Sequence, residues 1–186
     1  MKYQITAISG SLRKNSYNTS LLNSLKVIAE RSEISIKVVT LNNIPFYSED
    51  LEEKGVPKYV AKLSETIKNS NAVIISTPEY NGMFSGALLN TLEWLSRDSV
   101  GKPLREKILA VIGSTTGGLG SEKAQTFLKL LGVNLNMIPM NSPKLRISHA
   151  HEKFDDKGRL VDEEVKNEID EYLIGMQSFI EKFSLN

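Results

Sequence analysis

Ile8-Ser9-Gly10-Ser11-Leu12-Arg13-Lys14-Asn15-Ser16-Tyr17-Asn18 follows directly on the apolar run 3–8 and decides how the rest of the chain is read. Short, apolar and rich in β-branched residues, the run Tyr3–Ser9 predicts a first strand. Hydroxyls, one Arg and one Asn come next, and then Leu21, Leu22, Leu25, Ile28 and Ala29 recur at helical spacing, so a helix is expected over Tyr17–Arg31. Two readings of the loop stand. In one, a Ser or Asn before the helix is its N-cap and nothing more. Alternatively, the loop holds a phosphate, because helix N-terminal N–H groups carry partial positive charge, hydroxyls add donors and Arg13 supplies a planar cationic fork.

The whole chain bounds what the loop can serve. Its 186 residues make one domain, residues 1–186, and are enough for a full hydrophobic core. A formal net charge of +1 disfavours a nucleic-acid partner, which needs a clustered basic surface. The absence of cysteine excludes thiolate catalysis, iron–sulfur clusters, Cys-zinc sites and disulfides, and agrees with a reducing, cytoplasmic setting. No apolar run approaches the ~20 residues of a membrane span, and the N-terminus enters a strand pattern rather than a signal peptide, so no membrane partner is expected.

Further along, Ile34, Ile36, Val38, Val39 and Leu41 predict a second strand, and 42–55 reads as irregular with an acidic run. Pro57 opens a helix carrying Val60, Ala61, Leu63 and Ile67. Ala72–Ser76 is a third strand, buried on both faces, and ends in the turn-rich 77–82. Phe84, Ala87, Leu88, Leu92 and Leu95 form the stripe of a helix reaching Arg97. Leu89 and Trp94 lie off that stripe, so the helix needs a second apolar surface; a subunit interface fits, which predicts a homodimer or homotetramer. Ile108–Ile112 is a fourth strand opening into Gly113-Ser114-Thr115-Thr116-Gly117-Gly118-Leu119-Gly120. A helix with Ala124, Phe127, Leu128 and Leu131 closes at Gly132, and a fifth strand is expected over Val133–Ile138. After an irregular 141–158, Val161, Val165, Ile169, Leu173, Met176, Ile180 and Phe183 define the last helix.

Alternating strands and helices predict an α/β three-layer sandwich around a five-stranded parallel sheet. In the flavodoxin-like order 2-1-3-4-5 the first, third and fourth strands are neighbours, so the polar loops that follow them converge on one crevice at the strands' carboxyl ends. No Gly-x-Gly-x-x-Gly and no Gly-x-x-x-x-Gly-Lys-Ser/Thr occurs, which disfavours a dinucleotide cradle and a P-loop. A Ser/Arg/Asn loop suits a single phosphate. A flat ligand bearing one phosphate, such as FMN, fits that description. His149 and His151 share strand-like spacing, but with no third ligand in view no metal site is predicted.

Gly10-Ser11-Leu12-Arg13-Lys14-Asn15-Ser16-Tyr17-Asn18 resembles the Gly-Ser-x-Arg-x-x-Ser-x-Asn motif of the NADPH-dependent FMN reductase family, whose members reduce quinones, chromate and azo dyes. Pro78-Glu79-Tyr80-Asn81 resembles that family's Pro-Glu-Tyr-Asn loop, and Gly86, Asn90, Trp94, Ser96 and Arg97 match the helix after it. Ala150-His151-Glu152 and the stretch from Phe154 to Asp162 resemble its C-terminal part. The likeness implies that Ser11, Arg13, Ser16 and Asn18 hold the FMN phosphate, that Pro78, Glu79, Tyr80, Asn81 and Gly82 line the isoalloxazine, and that Ser114, Thr115, Thr116 and Gly117 take the rest of the ring and the ribityl chain. The sequence departs from the family pattern at Met83-Phe84, at Leu89 where a Lys often stands, and at Ser121-Glu122 in place of Gly-Gly. The implied activity is an NAD(P)H-dependent, ping-pong oxidoreductase with NADPH or NADH as co-substrate and a quinone, azo dye, free flavin or similar small molecule as acceptor, the chemistry belonging to the cofactor and no protein nucleophile required. A flavodoxin-type electron carrier is the alternative function, disfavoured because such carriers are strongly acidic; a binding domain on this fold that has lost flavin is a third.

Overall fold

The computed structural model describes residues 2–184. The apolar runs form parallel strands β1 (Tyr3–Ser9), β2 (Ile34–Thr40), β3 (Ala72–Ser76), β4 (Ile108–Ser114) and a short β5 (Ile138–Pro139). Their order is β2-β1-β3-β4-β5, and a sixth strand, β6 (Arg146–Ile147), pairs with the upper end of β4 through Gly113 and Ser114. Helices α1 (Tyr17–Ala29), α2 (Glu49–Glu53), α3 (Lys58–Lys68), α4 (Gly86–Leu95), α5 (Glu122–Asn134), α6 (Ala150–Lys153) and α7 (Glu163–Ser184) complete the chain.

Successive residues of a strand point to opposite faces, and the two cores divide accordingly. Ile5, Ala7, Ile74, Ala110 and Ile112 face α1 and α7, meeting Leu21, Leu22, Leu25, Ile169, Leu173 and Met176. Ile8, Val73, Ile75, Leu109 and Val111 face α3, α4 and α5, meeting Leu63, Ile67, Leu88, Leu92, Leu95 and Leu128. Every residue of β3 and β4 is buried, as unbroken apolar runs at the centre of a parallel sheet require. Among the described residues, no helix is long and apolar enough to cross a membrane.

Several expectations need correction. Residues 133–134 continue α5, and the fifth strand is only Ile138–Pro139. Asn136, not Gly132, provides the left-handed residue after the helix: at φ 59° it gives a Schellman closure, Met137 N–H to Gly132 O at 2.9 Å and Asn136 N–H to Val133 O at 2.9 Å. Gly132 is there for packing, since a Cβ on it would lie 2.2 Å from Leu109 Cδ2. Trp94 finds its second surface within the chain: it is fully buried against Val60 and Val100, stands edge-on to Tyr47 at 5.0 Å and donates its indole N–H to Pro45 O at 2.9 Å. The stretch 42–55, expected to be irregular, contains the short helix α2 and covers this side of α4. Val161 precedes α7, whose start is capped by Asp162 accepting Val165 N–H at 3.0 Å. Lastly, Phe127 and Phe183, placed on buried faces by periodicity, are exposed.

Gly132→Ala is predicted to lower stability by about 1–3 kcal/mol through overpacking against Leu109, although Ala is the better helix former. Urea denaturation reads the change directly; a more stable variant would show that Leu109 yields without cost.

Candidate active-site cleft

Gly10 and Thr77 leave β1 and β3 at the same level of the sheet, and β4 runs on past that level to Ser114, because the three strands are neighbours in register Ser9↔Ser76 and Ser76↔Ile112. The loops that follow line one cleft made by Ser11, Arg13, Ser16, Tyr17, Asn18, Pro78, Glu79, Tyr80, Ser114, Thr115 and Thr116, with an enclosed volume of about 120 Å³. This is the convergence expected at the switch point of a doubly wound sheet, between β1 and β3.

The first loop is pinned from below. Gly10 N–H donates to Ser76 O at 2.8 Å, and Ser85 Oγ–H donates to Gly10 O at 2.6 Å. A Cβ at position 10 would lie 2.3 Å from Leu88 Cδ1, so only glycine passes over α4 here. Ser16 does cap α1, its hydroxyl oxygen accepting Thr19 N–H at 3.3 Å, and this leaves the hydroxyl proton free to donate into the cleft. The cap and the phosphate readings are thus compatible. Among the described residues Arg13 has no carboxylate within ion-pair distance, and the first-turn N–H groups of Tyr17 and Asn18 lack an intrahelical acceptor. One end of the cleft is therefore a cup of donors without a counter-anion.

The second loop is a tight turn. Asn81 and Gly82 have φ 52° and 78°, and Tyr80 and Met83 exchange two N–H···O bonds of 2.9 Å across them. Asn-Gly with both φ positive is the type I′ pattern. Asn81 and Gly82 lie at the tip of that turn, beyond the residues that line the cleft, and Tyr80 is half-exposed at its mouth. Glu79 is engaged elsewhere as well: its carboxylate accepts Ala124 N–H at 3.1 Å. Ser121, in the left-handed region, offers α5 no side-chain cap, so a carboxylate from the neighbouring loop serves the helix N-terminus instead.

The third loop is clasped from the β6 side. Thr115 N–H donates to Ile147 O and Ala150 N–H to Thr115 O, both at 2.9 Å, and His149 N–H donates to Gly117 O at 3.2 Å. A Cβ on Gly113 would lie 1.7 Å from Ser121 Oγ, so glycine is obligatory where the loop crosses the start of α5. Ser114 Oγ is buried with no hydrogen-bond partner, in the wall of the cleft. Among the described residues the N–H groups of Thr116 and Gly117 have no acceptor either. Gly117 itself lies beyond the residues lining the cleft.

Asn18 is buried, with its carboxamide bonded to Ser76 and Ser114 rather than open to the cup. Sequence reasoning missed Tyr17, which lines the cleft with its ring 5.8 Å from Phe154, and the strap 145–150 that holds the third loop. Tyr17 is the variable position between Ser16 and Asn18, and the strap carries no side-chain signal because it acts through its backbone. A larger surface hollow of about 570 Å³ lies around Tyr47, Glu49, Glu52 and Arg97, but its groups satisfy one another: Tyr47 O–H and Ser99 O–H both donate to Glu52, at 2.8 and 2.6 Å, and the Arg97 guanidinium sits 5.1 Å over the Tyr47 ring. Those two hydroxyls hold the Glu52 carboxyl below its ordinary range.

The sequence profile of the NADPH-dependent FMN reductase family matches residues 3–152. An NAD(P)H-dependent FMN reductase of Pseudomonas aeruginosa is 34% identical over 179 residues, covering 96% of each chain. A quinone reductase of Escherichia coli K12 is 31% identical over 186 residues, covering 99% of this chain and 98% of its own. Among solved structures, FerB, a flavoenzyme NAD(P)H:(acceptor) oxidoreductase from Paracoccus denitrificans, superposes with a TM-score of 0.88 at 29% identity over 97% of this chain and 98% of its own. With the matching profile spanning most of the chain and relatives of this identity aligned nearly end to end, this protein belongs to the NADPH-dependent FMN reductase family.

Proposed function

We propose that the chain is a cytoplasmic FMN-containing oxidoreductase that takes a hydride from NADPH or NADH and passes two electrons to a quinone, azo dye, free flavin or similar small acceptor. The observation that carries this reading is the single cleft shared by three strand-end loops, donor-rich and free of a counter-anion at one end and holding the unpartnered Ser114 hydroxyl. The residues fit FMN chemically. Ser11, Arg13, Ser16 and the first-turn N–H groups of α1 would hold the phosphate by charge-assisted bonds. The hollow of about 120 Å³ is open on its outer side, so the phosphate would sit at its Ser11–Ser16 end and the three-ring system would extend outward past Tyr80, Pro78 and Ser114–Thr116.

When bound, the flavin supplies the redox chemistry, accepting a hydride from the nicotinamide and delivering the electron pair to the acceptor. The free N–H groups of Thr116 and Gly117 and the Ser114 hydroxyl would supply donors to stabilise negative charge on the ring, an oxyanion-hole type of assistance. The balanced reaction with a quinone is NAD(P)H plus a proton plus quinone giving NAD(P)⁺ plus hydroquinone. Because the mouth is open on one side, nicotinamide and acceptor would occupy it in turn.

Leu89, Phe127 and Leu130 are exposed on helices α4 and α5, which pack on the same face of the sheet, and they support assembly into a homodimer or homotetramer through that face. Light scattering at micromolar concentration is expected to give a dimer or larger; a monomer would remove this part of the reading.

Arg13→Ala is predicted to weaken FMN binding about 10- to 100-fold through loss of a charge-assisted partner to the phosphate. Riboflavin, which lacks the phosphate, should bind the variant and the parent alike. Fluorescence titration with both flavins measures this, and unchanged FMN affinity would contradict the assignment of the cup. In steady state, NADPH and menadione varied together should give parallel double-reciprocal lines. Intersecting lines would show that both substrates bind at once, and no turnover with either nicotinamide would favour an electron carrier.

A further inference from the structure

Asn18 lies on the first turn of α1, at the phosphate end of the cleft, yet its side chain is committed to the opposite end. Its Oδ1 accepts Ser76 Oγ–H at 2.8 Å and Ser114 N–H at 3.1 Å, and its Nδ2 donates to Ser114 O at 3.0 Å. The residue is 4% exposed, with both oxygen lone pairs and one amide hydrogen already used. The orientation of the amide is fixed by its partners, because Ser114 N–H needs an acceptor and Ser114 C=O needs a donor.

The reason for these bonds lies in the sheet. Gly113 and Thr115 send their N–H groups toward the β6 side, to Leu145 O and Ile147 O, so Ser114 presents its N–H and C=O toward β3. There β3 has ended: Thr77 N–H still bonds Ile112 O, and the chain then turns away at Pro78, which has no N–H to give. The last residue of β4 would be left with an unpaired, buried donor and acceptor, at a cost comparable to lost hydrogen bonds. The Asn18 carboxamide, a peptide group in miniature, stands where the missing strand residue would be and bonds both. Ser76 Oγ–H steadies the amide from below.

We propose that Asn18 is a positioning residue that holds the 114–117 loop in place for the flavin ring, and that it is not a ligand of the phosphate. This rests on the flavin reading above and deepens it. Ser114 carries the unpartnered hydroxyl and the loop beyond it the free N–H groups of Thr116 and Gly117, so the strut fixes the donors that would serve the ring. The two ends of the cleft then have separate anchors on one helix: Arg13 and Ser16 read the phosphate, and Asn18 sets the ring loop.

The test compares FMN and riboflavin binding by fluorescence titration in the full-length protein and in Asn18→Ala and Ser76→Ala, with the midpoint potential of bound FMN as a second readout. Asn18→Ala is expected to weaken both flavins by the same factor, about 10- to 100-fold, leaving their affinity ratio at the parent value. The potential of bound FMN should fall as the loop's donors move away from the ring. Ser76→Ala, which removes one bond to the amide and keeps the strut, should shift affinity and potential less and in the same direction, and it carries the test if Asn18→Ala does not fold. Loss of FMN affinity with riboflavin affinity unchanged would make the carboxamide a phosphate ligand and overturn the proposal, as would unchanged affinities and potential in both variants. A parent protein that binds neither flavin would overturn the proposed function itself, an outcome distinct from any change among the variants.

Discussion

Everything at the site depends on three adjacent parallel strands ending within about two residues of one height. A parallel strand cannot turn back on its neighbour, so β1, β3 and β4 must each release the chain at the carboxyl edge, and the sheet order makes those releases converge. The core enforces the height. Both faces of β3 and β4 are fully buried, so a slip of one residue would exchange every side chain between two differently packed layers. Stability and site geometry are thus set by the same packing, and the loops need only small local devices to finish the cleft.

Those devices share a pattern: groups from one loop satisfy backbone left open in another. Ser85 bonds Gly10 O, Glu79 caps α5, Asn18 completes β4, and the 145–150 strap clasps Thr115 and Gly117. Close approach at Gly10 and Gly113, where any Cβ would collide with Leu88 or Ser121, makes such cross-bonding geometrically possible. Among the described residues, the Ser114 hydroxyl and an Arg13 with no carboxylate partner line the cleft, and the exposed loop beside it carries the N–H groups of Thr116 and Gly117 without an acceptor. Donors without a partner beside one cleft are where a ligand gains most.

The central strands were legible because full burial writes itself as unbroken apolar runs, and 72–76 is read to the residue. The edge was not. Beyond β4 the sheet is finished by two dipeptides, Ile138–Pro139 and Arg146–Ile147, too short to carry a period, and Gly132 looked like a helix stop when it was a contact point for Leu109. Trp94 illustrates a related limit. Periodicity showed that α4 needed a second apolar surface, but only the fold could show that Pro45 and Tyr47 supply it. At the site, side chains were easier to find than their roles. Ser11, Arg13, Ser16, Asn18, Glu79, Tyr80 and Ser114 all line the cleft, but the Glu79 and Asn18 side chains also bond backbone of α5 and β4, and Asn81 and Gly82 form the turn beyond it; sequence spacing does not distinguish bonding backbone from holding a ligand.

The central claim is one cleft, with a phosphate end and a ring end, closed by three loops. Determining a crystal structure of the protein with FMN tests it most directly. The account predicts the phosphate within hydrogen-bond distance of Ser11, Arg13 and Ser16 and the ring's polar edge against residues 114–117. Flavin bound in the reverse sense, or seated away from these loops, would contradict it.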